Sequence, residues 1–240
     1  MIHKVKGVVL THTRYRDTSA IVQIYTSVFG MQSYILNGVY GKKKRGSIVL
    51  TQPLNIFDLE VYHHENKDIH RIKEFRLCSY FIRIPYFQTR RAQTFLITEI
   101  LSRVLKGEGP NSYLFSFIEK AIEILDSEQK GLENFHIWFL FQLTKYLGFQ
   151  PHNNFSDQMR WFDLIEGCFV SREPSHPHYL SLEVSLKFHK LFNSDVKDLA
   201  AIASNVNERR QFLDILVLFY ELHQPGMGKI RSIGVLKDLF

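Results

Sequence analysis

Apolar residues change their spacing at Pro85, and that change divides the chain into a strand-built part and a helix-built part. Ahead of it, Lys4 to Leu10, Ala20 to Tyr25, Gln32 to Val39 and Leu54 to Tyr62 are short, rich in β-branched and aromatic residues, and separated by turn formers. Alternation is cleanest in the fourth, where Phe57, Leu59 and Val61 interleave with Asp58 and Glu60, giving one face to a core and one to water. Ile69 to Leu77 is a fifth, less regular candidate after the polar turn HHENKD, whose His63 and His64, with His70, read as exposed loop histidines. Five short strands of basic composition fit a small barrel.

Beyond Pro85 the period is about 3.6. Ile97, Ile100, Leu101, Val104 and Leu105 line one helix face, stopped by Gly107. A second stripe, from Leu114 through Phe117, Ile118, Ala121 and Ile122 to Leu125, is entered through Asn111 or Ser112 as N-cap. Phe135 to Leu147 is apolar on nearly every face, which predicts a buried central helix ended by Gly148 and Pro151. Gln150 to Tyr179 reads as an irregular insert with one hairpin around Trp161 to Val170; helices resume at Ser181 to Phe192, Asn207 to Leu222 and after Ser232. The expected architecture is α+β: a nucleic-acid-binding barrel over 1–80, then a helical domain over 81–240 with an irregular insert near 150–180.

Charge follows the same division. Met1 to Lys106 carries 17 Lys and Arg against 7 Asp and Glu, whereas the remainder carries 13 against 17. A basic strand-rich half favours an anionic partner. MIHKVKGVVL lacks the long apolar stretch of a signal peptide, and the longest apolar run, Ile215 to Tyr220, is far short of the ~18 residues of a membrane span, so a cytoplasmic protein without membrane contact is expected. Cys78 and Cys168 alone make neither a disulfide framework nor a CxxC pair. There is no GxxxxGK[ST], GxSxG or HExxH; Gly226-Met227-Gly228-Lys229 echoes a phosphate loop but follows a helix and more simply ends it.

The densest cation cluster is Lys42, Lys43, Lys44 and Arg45, between glycines in a loop that suits phosphate contact or plain solvation. Lys4, Lys6, Arg14 and Arg16 add charge around Tyr15, the ingredients of a single-strand groove; Tyr15 reads equally as a packed loop residue. Arg71, Lys73, Arg90 and Arg91 extend the bias into the first helix, where cations oppose the macrodipole and scattered surface charge is the competing reading. Cys168, His176 and His178, with His189 as a fourth, are the one cluster to weigh for zinc; without tight paired spacings, no metal and no cofactor are expected.

KVKGVVLTHTRYRDTSAIVQIYTSVFG, LNGVYGKKKRG followed by LTQPLNIFDLEVY, GFQP at Gly148 to Pro151, and FYELHQPGMGKIRSIGVL occur in an order, and over a span, that resembles the bacterial DNA repair and recombination mediator family RecO. The resemblance implies an N-terminal OB-fold, a helical domain, and binding to single- and double-stranded DNA. It also implies strand annealing and, with RecR, help in loading RecA onto DNA coated by single-stranded DNA-binding protein, whose acidic C-terminal tail would be a second protein partner. Lys42 to Arg45 would occupy the family's basic barrel loop. Many members carry a four-cysteine zinc module where this chain reads WFDLIEGCFVSREPSHPHYLS, with Cys168 alone, which implies a metal-free insert. The leading expectation is therefore a non-enzymatic DNA mediator; an RNA-binding OB-fold protein of translation or RNA processing, and a metal-dependent enzyme at Cys168 and His176, are the competing readings.

Overall fold

The alternating apolar residues of the first eighty positions close into a barrel in the computed structural model, which describes residues 1–40 and 49–239. The strands are β1 (Ile2–Tyr15), β2 (Ser19–Thr26), β3 (Gly30–Leu36), β4 (Ile56–Tyr62) and β5 (Ile69–Leu77), ordered β1-β2-β3-β5-β4 with β4 returning to β1. Every pairing is antiparallel except β3 with β5, an OB-type arrangement. Val9, Val22, Ile24, Tyr34, Phe57 and Leu59 fill the interior.

The first strand outruns its apolar pattern because it serves two neighbours. Ile2 to Val8 pair with β4, Gly7 to Tyr15 pair with β2, and a bulge between Val9 and Thr11 bends the strand at the hand-over. Gly7 is required there: a Cβ would lie 2.6 Å from Ile24 Cγ2 and 3.0 Å from Leu59 Cδ1. The weak alternation of Ile69 to Leu77 also has a cause. Pairing of β4 with β5 shifts register at Glu60/Val61, and His70 is the buried residue of the strand.

That burial corrects the reading of His63 and His70 as exposed loop histidines. His63 stacks on Phe29 with centroids 3.9 Å apart and on His70 at 4.3 Å, and His70 packs against Tyr34 at 5.9 Å, so the rings form a continuous stack that ends on the buried Tyr34. Burial lowers the pKa of both imidazoles below the usual histidine value, with neighbouring histidines adding to the effect.

A helical hairpin completes the first compact unit, Met1–Asp126. Its helices are α1 (Gln88–Val104) and α2 (Ser112–Leu125). Asn111 caps α2, its Oδ1 accepting from Leu114 N at 3.0 Å, while Gly107 adopts the left-handed φ of +83° after α1. Val8 and Leu10 are buried outside the barrel interior, α1 packs against β1, and Tyr25 stacks on Phe115 of α2 at 6.1 Å. The hairpin thus covers apolar residues on the outside of the barrel. Strand gives way to helix near residue 80, but compactness divides the chain after Asp126.

The second unit, Ser127–Phe240, is built on α3 (Phe135–Tyr146). The hairpin expected within Trp161 to Val170 is β6 (Trp161–Asp163) with β7 (Cys168–Val170), and β8 (Tyr179–Leu180) pairs on the other side of β6. Then follow α4 (Leu182–His189), α5 (Leu199–Ile202), α6 (Val206–His223) and α7 (Ser232–Lys237). Phe162 packs on Phe169 within the small sheet and anchors it against Phe188 and Phe219, and Tyr220 Oη donates to Leu140 O at 2.8 Å, joining α6 to α3. Gly226 and Gly228 take positive φ in the turn after α6, consistent with a helix end. No helix among the described residues is long and apolar enough to cross a membrane.

Candidate nucleic-acid interface

The cations singled out in the sequence fall into two electrostatic groups. On the β1–β4–β5 flank, antiparallel register places Lys4 opposite Glu60 and Lys6 opposite Asp58. Glu60 bridges two lysines, with Lys4 Nζ at 3.6 Å and Lys73 Nζ at 2.8 Å, and Arg76 reaches Asp58 Oδ2 at 3.1 Å. Lys6 instead crosses to α2 and meets Glu119 Oε1 at 2.8 Å. These hydrogen bonds hold Glu60 below the usual carboxylate range and lift Lys6 and Lys73 above the usual lysine value. A phosphate arriving on this flank must compete with carboxylates already in place. Lys6→Ala is expected to cost under about 1 kcal/mol of stability, as partly exposed pairs do, and to leave the salt dependence of DNA binding unchanged. Denaturant titration and an affinity-versus-salt series would check both outcomes.

The second group lies at the β1–β2 turn. Arg14 donates from Nη2 to Asp17 O at 3.0 Å and holds its guanidinium 5.3 Å from the Tyr40 ring centroid. Arg16, at φ +55°, places its guanidinium 5.2 Å from the Tyr15 centroid. That left-handed conformation costs a non-glycine residue about 1–2 kcal/mol, and here it supports a cation over a ring. Tyr40 N donates to Thr18 O at 3.1 Å, so the last described residue before the lysine run is tied to the same turn. Lys42, Lys43, Lys44 and Arg45 themselves lie outside the described residues.

Strand register carries this group onto the adjoining face. Thr13 pairs with Ile21, Ile21 with Ile35, and Ile35 with Arg71, giving a lateral row of exposed or half-buried side chains across β1, β2, β3 and β5. In OB-type barrels the β2–β3 face and the β1–β2 loop form the usual oligonucleotide platform. Arg14, Arg16 and Arg71 make no ion pair among the described residues, unlike Lys4, Lys6 and Lys73 of the β1–β4–β5 flank. Tyr40 was not singled out in the sequence; its place directly before the lysine run was the available signal.

Arg90 and Arg91 sit in the first turn of α1, which has no acidic residue and no side-chain cap. Arg90 donates to Leu125 O at 3.1 Å and lies 4.8 Å from the Phe87 centroid, whereas Arg91 donates to Pro85 O at 2.6 Å. These carbonyl bonds fix the position of both guanidinium groups.

The residues weighed for zinc have other work in the structure. His176 Nε2 lies 3.0 Å from Asp163 Oδ2, its Nδ1 accepts from His178 N at 3.2 Å, and His189 stacks on Phe155 at 4.4 Å. Cys168 pairs in register with Asp163 on the small sheet. Among the described residues, no group of three or more His, Cys, Asp or Glu side chains is placed to hold a metal ion.

A closed OB-type barrel, a helical hairpin packed on it, and a helical second unit carrying a small sheet define the class: barrel proteins with a helical C-terminal extension. Residues 1–81 match the family model for Recombination protein O N terminal, and residues 92–229 match the one for Recombination protein O C terminal. The chain belongs to the RecO family. It is 31% identical over 240 residues to the DNA repair protein RecO of Phocaeicola vulgatus and 32% over 241 to that of Bacteroides fragilis, with 100% of each chain covered. The DNA repair protein RecO of Flavobacterium psychrophilum is 31% identical, covering 99% of this chain and 98% of its own. A role in DNA repair and recombination follows from this membership.

Proposed function

We propose that the chain is a non-enzymatic recombination mediator that binds single- and double-stranded DNA through its barrel, anneals complementary strands and, with RecR, helps load RecA onto DNA coated by single-stranded DNA-binding protein. The observation carrying the proposal is the cluster of Arg14, Arg16, Tyr15 and Tyr40 at the β1–β2 turn, with Arg71 on the adjoining face. Cations without carboxylate partners neutralise phosphates and release condensed counterions, and rings beside them offer stacking faces. Annealing needs no reacting side chain in this scheme: two strands whose phosphates are screened on one protein surface pair on their own. The protein touches the sugar-phosphate backbone, so affinity is independent of sequence. RecR and the acidic tail of the coating protein are the proposed protein partners, on the strength of the family.

The proposed cation set is Arg14, Arg16, Lys42, Lys43, Lys44, Arg45, Arg71, Arg90 and Arg91; Lys4, Lys6 and Lys73 would contribute only after leaving their carboxylates. The test is affinity against salt concentration. Arg14→Ala with Arg16→Ala, and separately alanine at Lys42 to Arg45, should each flatten the slope of log affinity on log salt, by about 0.7 for every single-strand phosphate that is no longer neutralised. Slopes that match the unaltered chain would overturn the barrel surface. Competition with RNA of equal sequence separates a DNA protein from an RNA-binding barrel: equal displacement would favour the latter.

A further inference from the structure

Between the last barrel strand and the first helix runs a segment whose large side chains face water. Tyr80 is 81% exposed, Tyr86 80% and Phe87 53%, and Phe95, two turns into α1, is 52% exposed. From Cys78 to Thr98 there are three arginines, Arg83, Arg90 and Arg91, and no Asp or Glu. Arg91 and Phe95 are spaced i, i+4 on one face of α1, about 6 Å apart along its axis, and Phe87 stands at the extended N-cap just ahead of them.

The segment is held in place from beneath. Asp126, at the end of α2, accepts three consecutive backbone N–H groups: Ile82 at 2.7 Å on Oδ2, and Arg83 at 2.8 Å and Ile84 at 2.7 Å on Oδ1. Arg91 closes on Pro85 O and Arg90 on Leu125 O. The rings are therefore presented by a fixed backbone rather than a floppy linker, which lowers the entropic cost of stacking a ligand on them.

We propose that Tyr80, Tyr86, Phe87 and Phe95 form a stacking strip that gives the chain its preference for single-stranded over double-stranded DNA. This rests on the DNA-binding reading above and deepens it. Base faces in a duplex are already stacked on their neighbours, whereas a single strand offers a free π-face at every nucleotide. Arginines among the rings supply phosphate complementarity that an acidic peptide would share, but rings projecting this far into water suit insertion between bases better than burial of a side chain. Phosphate binding on the barrel is blind to strandedness; the strip adds an interaction that only unpaired bases make.

The test uses the full chain with Tyr80→Ala, Tyr86→Ala and Phe87→Ala combined, its fold checked by circular dichroism. Binding is read by fluorescence anisotropy on labelled oligothymidine and on a labelled duplex. The triple variant should lose at least about tenfold in single-strand affinity, while duplex affinity and the salt slope stay those of the unaltered chain. Arg14→Ala with Arg16→Ala should weaken both ligands together, so the barrel reading is scored separately. An unchanged single-strand affinity, or an equal loss on both ligands, overturns the strip even where the barrel reading stands. Full DNA affinity in the triple variant with loss of binding to an acidic peptide also overturns it and marks the strip as a peptide surface. An unaltered chain that binds neither DNA would sink both proposals.

Discussion

Gly131→Ala is expected to destabilise the second unit by about 3 kcal/mol or more, a large share of the roughly 5–15 kcal/mol that holds an ordinary domain folded. Gly131 sits at φ +79°, ahead of the short turn Leu132–Asn134 that leads into α3. The left-handed backbone alone costs alanine about 1–2 kcal/mol. The larger contribution is steric, because a Cβ would lie 2.2 Å from Ala200 N and 2.6 Å from Ala200 Cα and from the Leu199 carbonyl carbon. Those backbone atoms are not at liberty to retreat. Buried Asn134 donates from Nδ2 to Leu199 O at 2.8 Å and to Ala203 O at 3.0 Å, clamping both ends of α5 against the turn. Gly148→Ala is the matched control: its φ is +83° but nothing lies within 4 Å of the added carbon, so only the conformational cost should appear. Urea unfolding of the two variants separates the effects; equal losses would show that the approach of α5 is softer than its hydrogen bonds imply.

Acidification from about pH 7.5 to about pH 5 is expected to lower unfolding free energy by about 2 kcal/mol through His136 alone. This residue is fully buried in α3, and burial, with Arg209 adding to it, pushes its pKa from 6.5 down to about 3. The folded chain keeps the imidazole neutral where the unfolded chain binds a proton. Stability is thus whole above the unfolded value, declines below it, and goes on declining until the folded value is passed. His63 and His70, also lowered by burial, act in the same direction as pH falls through the ordinary histidine range. Glu60 and Glu208 act in a different window, since their lowered pKa values withdraw stability only as pH falls below the ordinary carboxylate range. Denaturant unfolding at the two pH values checks the total. His136→Leu should remove about 2 kcal/mol of the pH dependence, and an equal slope in that variant would assign the effect elsewhere.

The barrel was legible because strands such as Phe57 to Val61 alternate cleanly, and α2 because its stripe and its Asn111 cap agree. Local pattern ran out wherever partners come from afar. Lys4, Lys6 and Lys73 read as free cations until the fold brought Glu60 and Glu119 to them, the latter 113 residues from Lys6. The start of α1 was hidden by its polar opening, Gln88 to Arg91, which presents no apolar stripe. His70 escapes a local reading because a turn-flanking histidine looks solvated until its own strand, β5, pairs in parallel with β3 and sets it beside Tyr34. The exposed rings of Tyr80 to Phe95 went unremarked for the opposite reason: aromatic residues are assumed to be core, and only accessibility distinguishes these.

The carboxylate of Asp126 bears on how the molecule should be dissected. Because it grips the three amides of Ile82 to Ile84, the chain leaving the barrel is sealed by a residue some forty positions later. A fragment ending at residue 81, where the first family model stops, would strip α1 and α2 from the barrel and expose Val8, Leu10 and the ring of Tyr25. One ending just after Asp126 keeps that covering. Autonomous folding, and so any attempt to study the barrel by itself, should begin from the longer piece.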